Sequence, residues 1–462
     1  MLDRQTIADL QGIVGSAHVY QDADTLSEYS TDALRQEGTA DIVVLPNTTD
    51  EVAAIARLCN ERLIPLTPRG GGTGYSGGAV PLANGVLLGL DRMNRILSVE
   101  PENLLAVVQP NVITATLQRT VAEKNLFYPP DPASAERCVI GGNVAENAGG
   151  PRAFKYGTTA RYILGLEAVL PSGTIIRTGG KTLKNVVGYD LTHLIVGSEG
   201  TLAIVTEVTI RLIPKPSTQR TLCVGFPNVE CAVVLVKTVI ANGVMPSSIE
   251  LIDDVCLALL DDTDRKSLEL ADTGSLLLME VDGTEQSTTE DILLLESLCR
   301  HHDAISIRVA KDKTARDEMW SMRKNLSLIL RSKARLKINH DVVVPISNIP
   351  ALFHKISSLR SETNLNIACF GHVGDGNIHV NILVDPSSES IMNQARHAER
   401  DLFRAVVDLE GSISGEHGIG YSKAKYLPLQ LTGNTIEAMR TVKAAFDPRG
   451  ILNPGKIFQE KA

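Results

Sequence analysis

Apolar and polar positions along this chain follow two periods, and the switches between them mark its elements. In TTDEVAAIARLCNERL (48–63) apolar residues recur every three to four positions behind a Thr/Asp start, which predicts a capped helix. The flanking runs DIVVLP (41–46) and IPLTP (64–68) are short and apolar and read as strands. GVLLGL (85–90) and LLAVVQP (104–110) are further strands, and VITATLQRTVAEKN (112–125) is a helix. LGLEAVLPSGTIIRTG (164–179) predicts a hairpin turned at Pro171-Ser172-Gly173. GTLAIVTEVTIRLIPKP (200–216) alternates as strands do and ends on two prolines, which sets a boundary near residue 216. Residues before 40 read as helices and turns.

The second half opens with a strand at LCVGF (222–226) and a helix over 228–242. SLLLMEVDG (275–283) is a strand, a helical stretch runs to His301, and AISIRVA (304–310) is another strand. That order predicts helices on one face of an antiparallel sheet. A helix over 317–332, a strand at LKINHDVVVP (336–345) and the strand pair NIACFGH and IHVNILV follow. The tail is helical and closes on FDPRGILNPGKIF. The fold class is α+β, divided as 1–216, 217–420 and a C-terminal segment over 421–462.

Composition narrows the partners. With 462 residues and 43% hydrophobic content the chain can bury a large core, and its length suggests roughly two to four domains. A net charge of −9 with only 4% aromatic residues argues against nucleic acid, since neither a basic stripe nor a stacking platform is present. The seven cysteines are scattered without a C-x-x-C, as expected of reduced thiols. No run of about 18 apolar residues predicts a transmembrane segment. The first residues lack an apolar targeting core and carry Asp3 and Asp9, so the expected location is the cytoplasm, with any inner-membrane association made through partners.

Candidate chemistry begins at PRGGGTGYSGG (68–78). The string contains Gly72-x-Gly74-x-x-Gly77, with Asp91 about 20 residues beyond, as in a dinucleotide fingerprint. That fingerprint must open a helix, whose N-terminus holds the phosphates. Here the loop runs into GGAVPLANGVLLGL, where Gly77, Gly78 and Pro81 forbid a helix. The loop's own N–H groups must therefore hold the anion, with Arg69 setting the loop and Thr73 and Ser76 adding hydroxyls.

PRGGGTGYSGG resembles the pyrophosphate loop of the vanillyl-alcohol-oxidase-type (PCMH-type) FAD fold. The resemblance continues through YPPDPASAERCVIGGNVAENAGG (128–150), KYGTT (155–159), the stretch 181–216 and LNPGKIF (452–458). It implies a two-part FAD-binding domain, a cap domain whose antiparallel sheet is covered by helices, and a C-terminal segment that returns to the FAD domain. Within the fold, the chain is similar to the FAD-dependent 2-hydroxy-acid dehydrogenases, which include the glycolate oxidase flavin subunit, D-lactate dehydrogenase and D-2-hydroxyglutarate dehydrogenase. The resemblance carries FAD contacts to Arg69, Gly70, Gly71, Gly72, Thr73, Gly74, Tyr75, Ser76 and Gly77. It places Pro130, Asp131 and Pro132 by the adenosine end, and Gly141, Gly142, Asn143, Asn147 and Gly149 by the ribityl and isoalloxazine. Gly200, Thr201, Ile204 and Val205 fall on the adenine side, and Asn453 lies in the closing segment. The loop offers Tyr75 where some members of the fold carry a flavin-linking histidine, so non-covalent FAD is expected.

A second constellation lies in GHVGDGNIH (371–379) and GEHGIG (415–420). His372 ends one strand and His379 begins the next across a Gly-Asp-Gly-Asn turn, so two imidazoles can converge. Glu416 adds a carboxylate in a glycine-flanked loop. Two neutral imidazoles and a carboxylate suit zinc, with manganese or iron as alternatives, and leave coordination positions open. His372, His379 and Glu416 are the expected ligands; the resemblance implies a divalent metal there and makes His417 the general base.

A hydroxy acid also needs a cationic clamp. Arg323 and Ser327 share a helix face at i, i+4, Lys337 and Asn339 alternate with Asp341 on a strand, and Asn381 points the same way as His379. The resemblance places an arginine, a hydroxyl and a lysine of this kind near the substrate. The expected reaction is oxidation of a D-2-hydroxy acid to the 2-oxo acid by hydride transfer to FAD. Electrons then pass to a quinone, a cytochrome or an electron-transfer flavoprotein, in a homodimer or a subunit of a complex. Two other readings fit fewer motifs: a metal-independent flavin oxidase, and an electron-transferring flavoprotein subunit.

Overall fold

The computed structural model describes residues 2–261 and 273–458. The chain folds into two compact units. One holds the chain through Gly149, Thr158–Lys215 and the chain from Glu416 onward; the other holds Gly150–Gly157 and Pro216–Gly415. Apart from the short excursion of Gly150–Gly157, the chain crosses between Lys215 and Pro216, within the proline pair, and returns at Glu416, where the sequence predicts 421. Gly150–Gly157 stays with the second unit because Lys155 Nζ donates to the Asp282 carbonyl at 2.9 Å and the Tyr156 hydroxyl to Asp282 Oδ2 at 2.7 Å.

The first unit is built on two larger sheets, beside a two-stranded pair of Leu126–Phe127 with Ile213–Pro214. In a four-stranded sheet Val86–Gly89 is central, paired in parallel with Ile42–Val44 on one side and Leu66–Arg69 on the other. Val19–Tyr20 adds an antiparallel edge beyond Ile42–Val44. Helix Thr49–Arg62 crosses over between the two strands that flank Val86–Gly89. It starts where the Thr48 hydroxyl accepts the Glu51 N–H at 3.2 Å, buries Val52, Ala53, Ile55, Ala56 and Cys59, and ends at Leu63 with φ 55°. The closing segment joins the Leu66–Arg69 edge, with Leu66 N donating to the Ile451 carbonyl at 2.8 Å and Asn453 N to the Leu66 carbonyl at 2.8 Å. The second sheet is antiparallel, in the order Ile96–Glu100, Leu105–Val108, Ile204–Arg211, Ile163–Val169, Ile175–Gly179.

The second unit is a seven-stranded antiparallel sheet in the order Ser306–Val309, Thr218–Phe226, Ser275–Gly283, Ser248–Ile252, Asn366–His372, Asn377–Val384, Leu336–Val343. Helices cover both of its faces, not one. Leu276 and Leu278 pack with Met319, Met322 and Leu326 of helix Lys313–Ser332. The alternate residues Leu277 and Met279 are equally buried and face the side where Val229–Ala241 and Glu285–His301 lie. The run LLLM, without alternation, is the sequence trace of a strand buried on both faces. Helices Ile349–Thr363 and Glu389–Asp408 and strand Ser248–Ile252 are additions to the predicted elements.

All seven cysteines are free thiols, and all but Cys231 are buried. Among the described residues no helix is long and apolar enough to cross a membrane.

Candidate functional site

The glycine loop leaves the carboxyl end of strand Leu66–Arg69, the end at which parallel sheets present ligands. Gly72 and Gly77 hold φ of 62° and 78°, a region that a side chain would strain. Asp32 fixes the loop's far side, accepting from Gly77 N at 2.9 Å. Arg69 sets the near side, its Nη1 donating to the Thr31 carbonyl at 2.5 Å. Ser76, expected to point a hydroxyl at phosphate, is buried instead, with that hydroxyl accepting from Gly78 N at 3.2 Å. Its carbonyl takes Tyr421 N at 2.9 Å and Ser422 N at 3.1 Å.

Among the described residues, no protein acceptor takes the backbone amides of residues 71–76. Asn453 donates to the Gly78 and Glu199 carbonyls, both at 2.9 Å, and its buried Oδ1 has no protein partner. A run of unclaimed donors is what a diphosphate takes up, so these residues fit FAD. A Cβ built on Gly74 meets no protein atom within 4 Å. Gly74→Ala should therefore leave the apoprotein's melting temperature in place and weaken FAD by about tenfold or more, the cost of one methyl forced into a close contact. Equilibrium titration of apoprotein with FAD measures this, and wild-type affinity would remove the loop from the phosphate site.

Within IGGNVAENAGG, Ile140–Glu146 forms a helix that ends at Asn147 with φ 51°. Its glycines serve close packing, since a Cβ on Gly141 would lie 2.6 Å from Pro110 Cβ. Asn143 is buried and donates to the Thr114 hydroxyl at 2.7 Å, and Asn147 Oδ1 accepts from Ala160 N at 2.8 Å. The Pro130 carbonyl takes Gln118 Nε2 at 2.8 Å and the Pro132 carbonyl takes Ala135 N at 2.8 Å, which shapes the turn around Asp131. Gly200 has φ 66°, and Ile204 and Val205 sit opposite Val169 and Ala168 in the antiparallel sheet.

In the same unit His417 stacks on Tyr75 of the glycine loop, ring centroids 5.1 Å apart at 27°. Its Nε2 lies 4.0 Å from Glu416 Oε1. Gly149 passes tightly beside Glu416, where a Cβ would fall 2.8 Å from Oε2. The turn after His417 is clamped by Glu199, whose carboxylate accepts from Ile419 N at 2.8 Å and Gly420 N at 2.5 Å. Burial pushes the Glu199 carboxyl up, against the pull of these two amides. The candidate base is thus carried by a loop pinned to flavin-loop residues.

In the second unit, His372 and His379 stand on adjacent strands with centroids 5.2 Å apart and ring planes at 87°. Both are buried. His372 Nδ1 lies 2.5 Å from Glu250 Oε1, and His379 Nδ1 lies 3.7 Å from Asp341 Oδ1. Asp341 also accepts from Asn377 Nδ2 at 2.5 Å and from Gly415 N at 2.8 Å. Glu416 follows Gly415 by one peptide bond. The imidazole pair backed by carboxylates suits a divalent cation.

The clamp residues divide. Lys337 Nζ donates to the Ser327 hydroxyl at 2.6 Å, which joins helix and strand. Burial pulls the Lys337 ammonium down to about 8. Arg323 is buried over the Phe370 ring at 4.5 Å and ion-paired with Glu250, its Nε donating at 2.6 Å. Asn381 is engaged inside the sheet, donating to the Ala368 and His379 carbonyls at 3.2 Å and accepting from Asn339 Nδ2 at 2.8 Å. Glu250 and Asp341 were absent from the predicted site. The signal for Glu250 was an acid inside the apolar strand SIELI, since a buried charge requires partners.

Residues 40–179 match the FAD binding domain family, and residues 215–457 match "FAD linked oxidases, C-terminal domain". The chain belongs to the FAD-linked oxidase family. Membership makes it an FAD-dependent oxidoreductase. It is 42% identical to glycolate oxidase subunit GlcD of Bacillus subtilis over 94% of this chain and 92% of that one. It is 35% identical to a D-lactate dehydrogenase of Anaerostipes hadrus, covering 92% and 91% of the two chains. It is 33% identical to D-2-hydroxyglutarate dehydrogenase of Stutzerimonas stutzeri, covering 99% and 100%. Among solved structures, p-cresol methylhydroxylase with substrate bound superposes with a TM-score of 0.80 at 17% identity over 98% of this chain and 96% of that one. That likeness shows the PCMH-type fold of this family member.

Proposed function

We propose that this chain oxidises a 2-hydroxy acid of the glycolate, D-lactate or D-2-hydroxyglutarate class to the 2-oxo acid, with non-covalent FAD and a divalent cation, zinc first. The carrying observation is one chain holding both a flavin loop stacked on His417 and a buried imidazole pair backed by carboxylates. The names of the related chains support the substrate class.

Bound FAD supplies a two-electron acceptor, and the cation supplies Lewis acidity toward the substrate's oxygens. His372, His379 and Glu416 would hold the cation. His417 takes the proton from the 2-hydroxyl oxygen on an imidazole nitrogen. Lys337 and Arg323 orient the substrate carboxylate, Arg323 from the position that its ion pair with Glu250 sets. Ser327 holds the Lys337 ammonium in place. The substrate loses two electrons and two protons in all, and the electrons leave to a quinone, a cytochrome or an electron-transfer flavoprotein. Bleaching of the flavin under anaerobic conditions by glycolate, D-lactate and D-2-hydroxyglutarate tests the reading and ranks the acids.

The Lys337 assignment has a pH consequence. Its ammonium is half-titrated near pH 8, with the charged form dominant at lower pH and the neutral form at higher pH. kcat/KM should fall as pH rises through about 8, because the free enzyme loses the charge that meets the carboxylate. Lys337→Arg, charged throughout, should remove that limb. A wild-type limb that persists in Lys337→Arg would assign it elsewhere.

A further inference from the structure

Strand Ser248–Ile252 places Glu250 directly opposite His372 in an antiparallel register. The Glu250 side chain is fully buried, and its two oxygens have different partners. Oε1 lies 2.5 Å from His372 Nδ1, and Oε2 takes Arg323 Nε at 2.6 Å within an ion pair to the same guanidinium. An ionised carboxylate only accepts, so Nδ1 of His372 carries the proton and Nε2 keeps its lone pair. The carboxylate is planar and rigid, so it cannot turn toward one partner without leaving the other. Phe370 closes the remaining side of the guanidinium at 4.5 Å.

We infer that Glu250 is a positioning residue that serves two groups at once, fixing the ligating tautomer of His372 and the placement of Arg323, and so couples cation affinity to recognition of the substrate carboxylate. The inference rests on the metal-dependent reading above. It differs from a purely structural ion pair, which would change the melting temperature and leave both affinities alone.

The test uses the full FAD-loaded chain. Zinc affinity is measured against a competing chelator, and D-lactate affinity from the flavin spectrum, in wild type, Glu250→Gln and Glu250→Gln/Arg323→Met. The double variant removes both buried charges together, which protects folding if the single variant leaves Arg323 stranded. Zinc affinity should fall about 10- to 100-fold in both, the usual effect of losing a partner behind a ligating histidine. D-lactate should bind more weakly in Glu250→Gln. Zinc affinity within twofold of wild type in either folded variant overturns the inference, as does weakened zinc with unchanged D-lactate affinity. His372→Ala is the control: if it binds zinc as wild type does, the metal reading itself falls, a result distinct from a failure at Glu250 alone.

Discussion

His417→Ala is expected to slow substrate-driven flavin reduction by about 10²- to 10⁴-fold, the range over which a positioned base acts. FAD content should stay the same. His417 meets the flavin loop in its stack on Tyr75, centroids 5.1 Å apart. The loop itself is held by Asp32, Arg69 and the carbonyl contact of Ser76, none of which involves the imidazole. Loss of the ring costs one aromatic contact, about 1 kcal/mol, too little to release the cofactor. Single-turnover stopped-flow under nitrogen separates the two effects. Reduction within threefold of wild type would remove His417 as the base. Loss of FAD along with activity would make it a cofactor contact instead.

The second large effect is expected from His372→Ala/His379→Ala. These two imidazoles are buried and face each other from the two strands of one hairpin. Without them the cation should be lost, and turnover should drop by roughly a thousandfold, which corresponds to about 4 kcal/mol of Lewis-acid stabilisation. Metal analysis and steady-state rates check this together. Millimolar zinc should not rescue the double variant. A metal-free double variant that keeps wild-type turnover would leave the histidines as packing residues.

Much of this was legible along the chain where the signal was local. The helix at 48–63, the strand edges around it and the absence of a helix after Gly78 follow from spacing and glycine chemistry, and the structure holds them. The His372–Asn377 hairpin was likewise readable from its turn residues. Local rules failed where packing overrode propensity. Two glycines disguised helix Ile140–Glu146, because the close approach to Pro110 outweighs their cost in a helix. Pro350 at the start of Ile349–Thr363 masked a regular buried stripe of Leu352, Phe353, Ile356 and Leu359. Glu250 left a signal as an acid in an apolar strand, but what it pairs with was unreadable. Its partners Arg323 and His372 lie 73 and 122 residues away, so only the sheet order brings them together. The same holds for Asp341, which reaches Gly415 across 74 residues.

The most direct test of the account is anaerobic reduction of the bound flavin by glycolate, D-lactate and D-2-hydroxyglutarate, in protein as purified, stripped by a chelator, and reloaded with zinc, manganese or iron. The account predicts that at least one acid bleaches the flavin, that stripping abolishes the bleaching with FAD still bound, and that one of the metals restores it. Undiminished bleaching in fully metal-free protein, or a flavin that none of the three acids reduces, would contradict it.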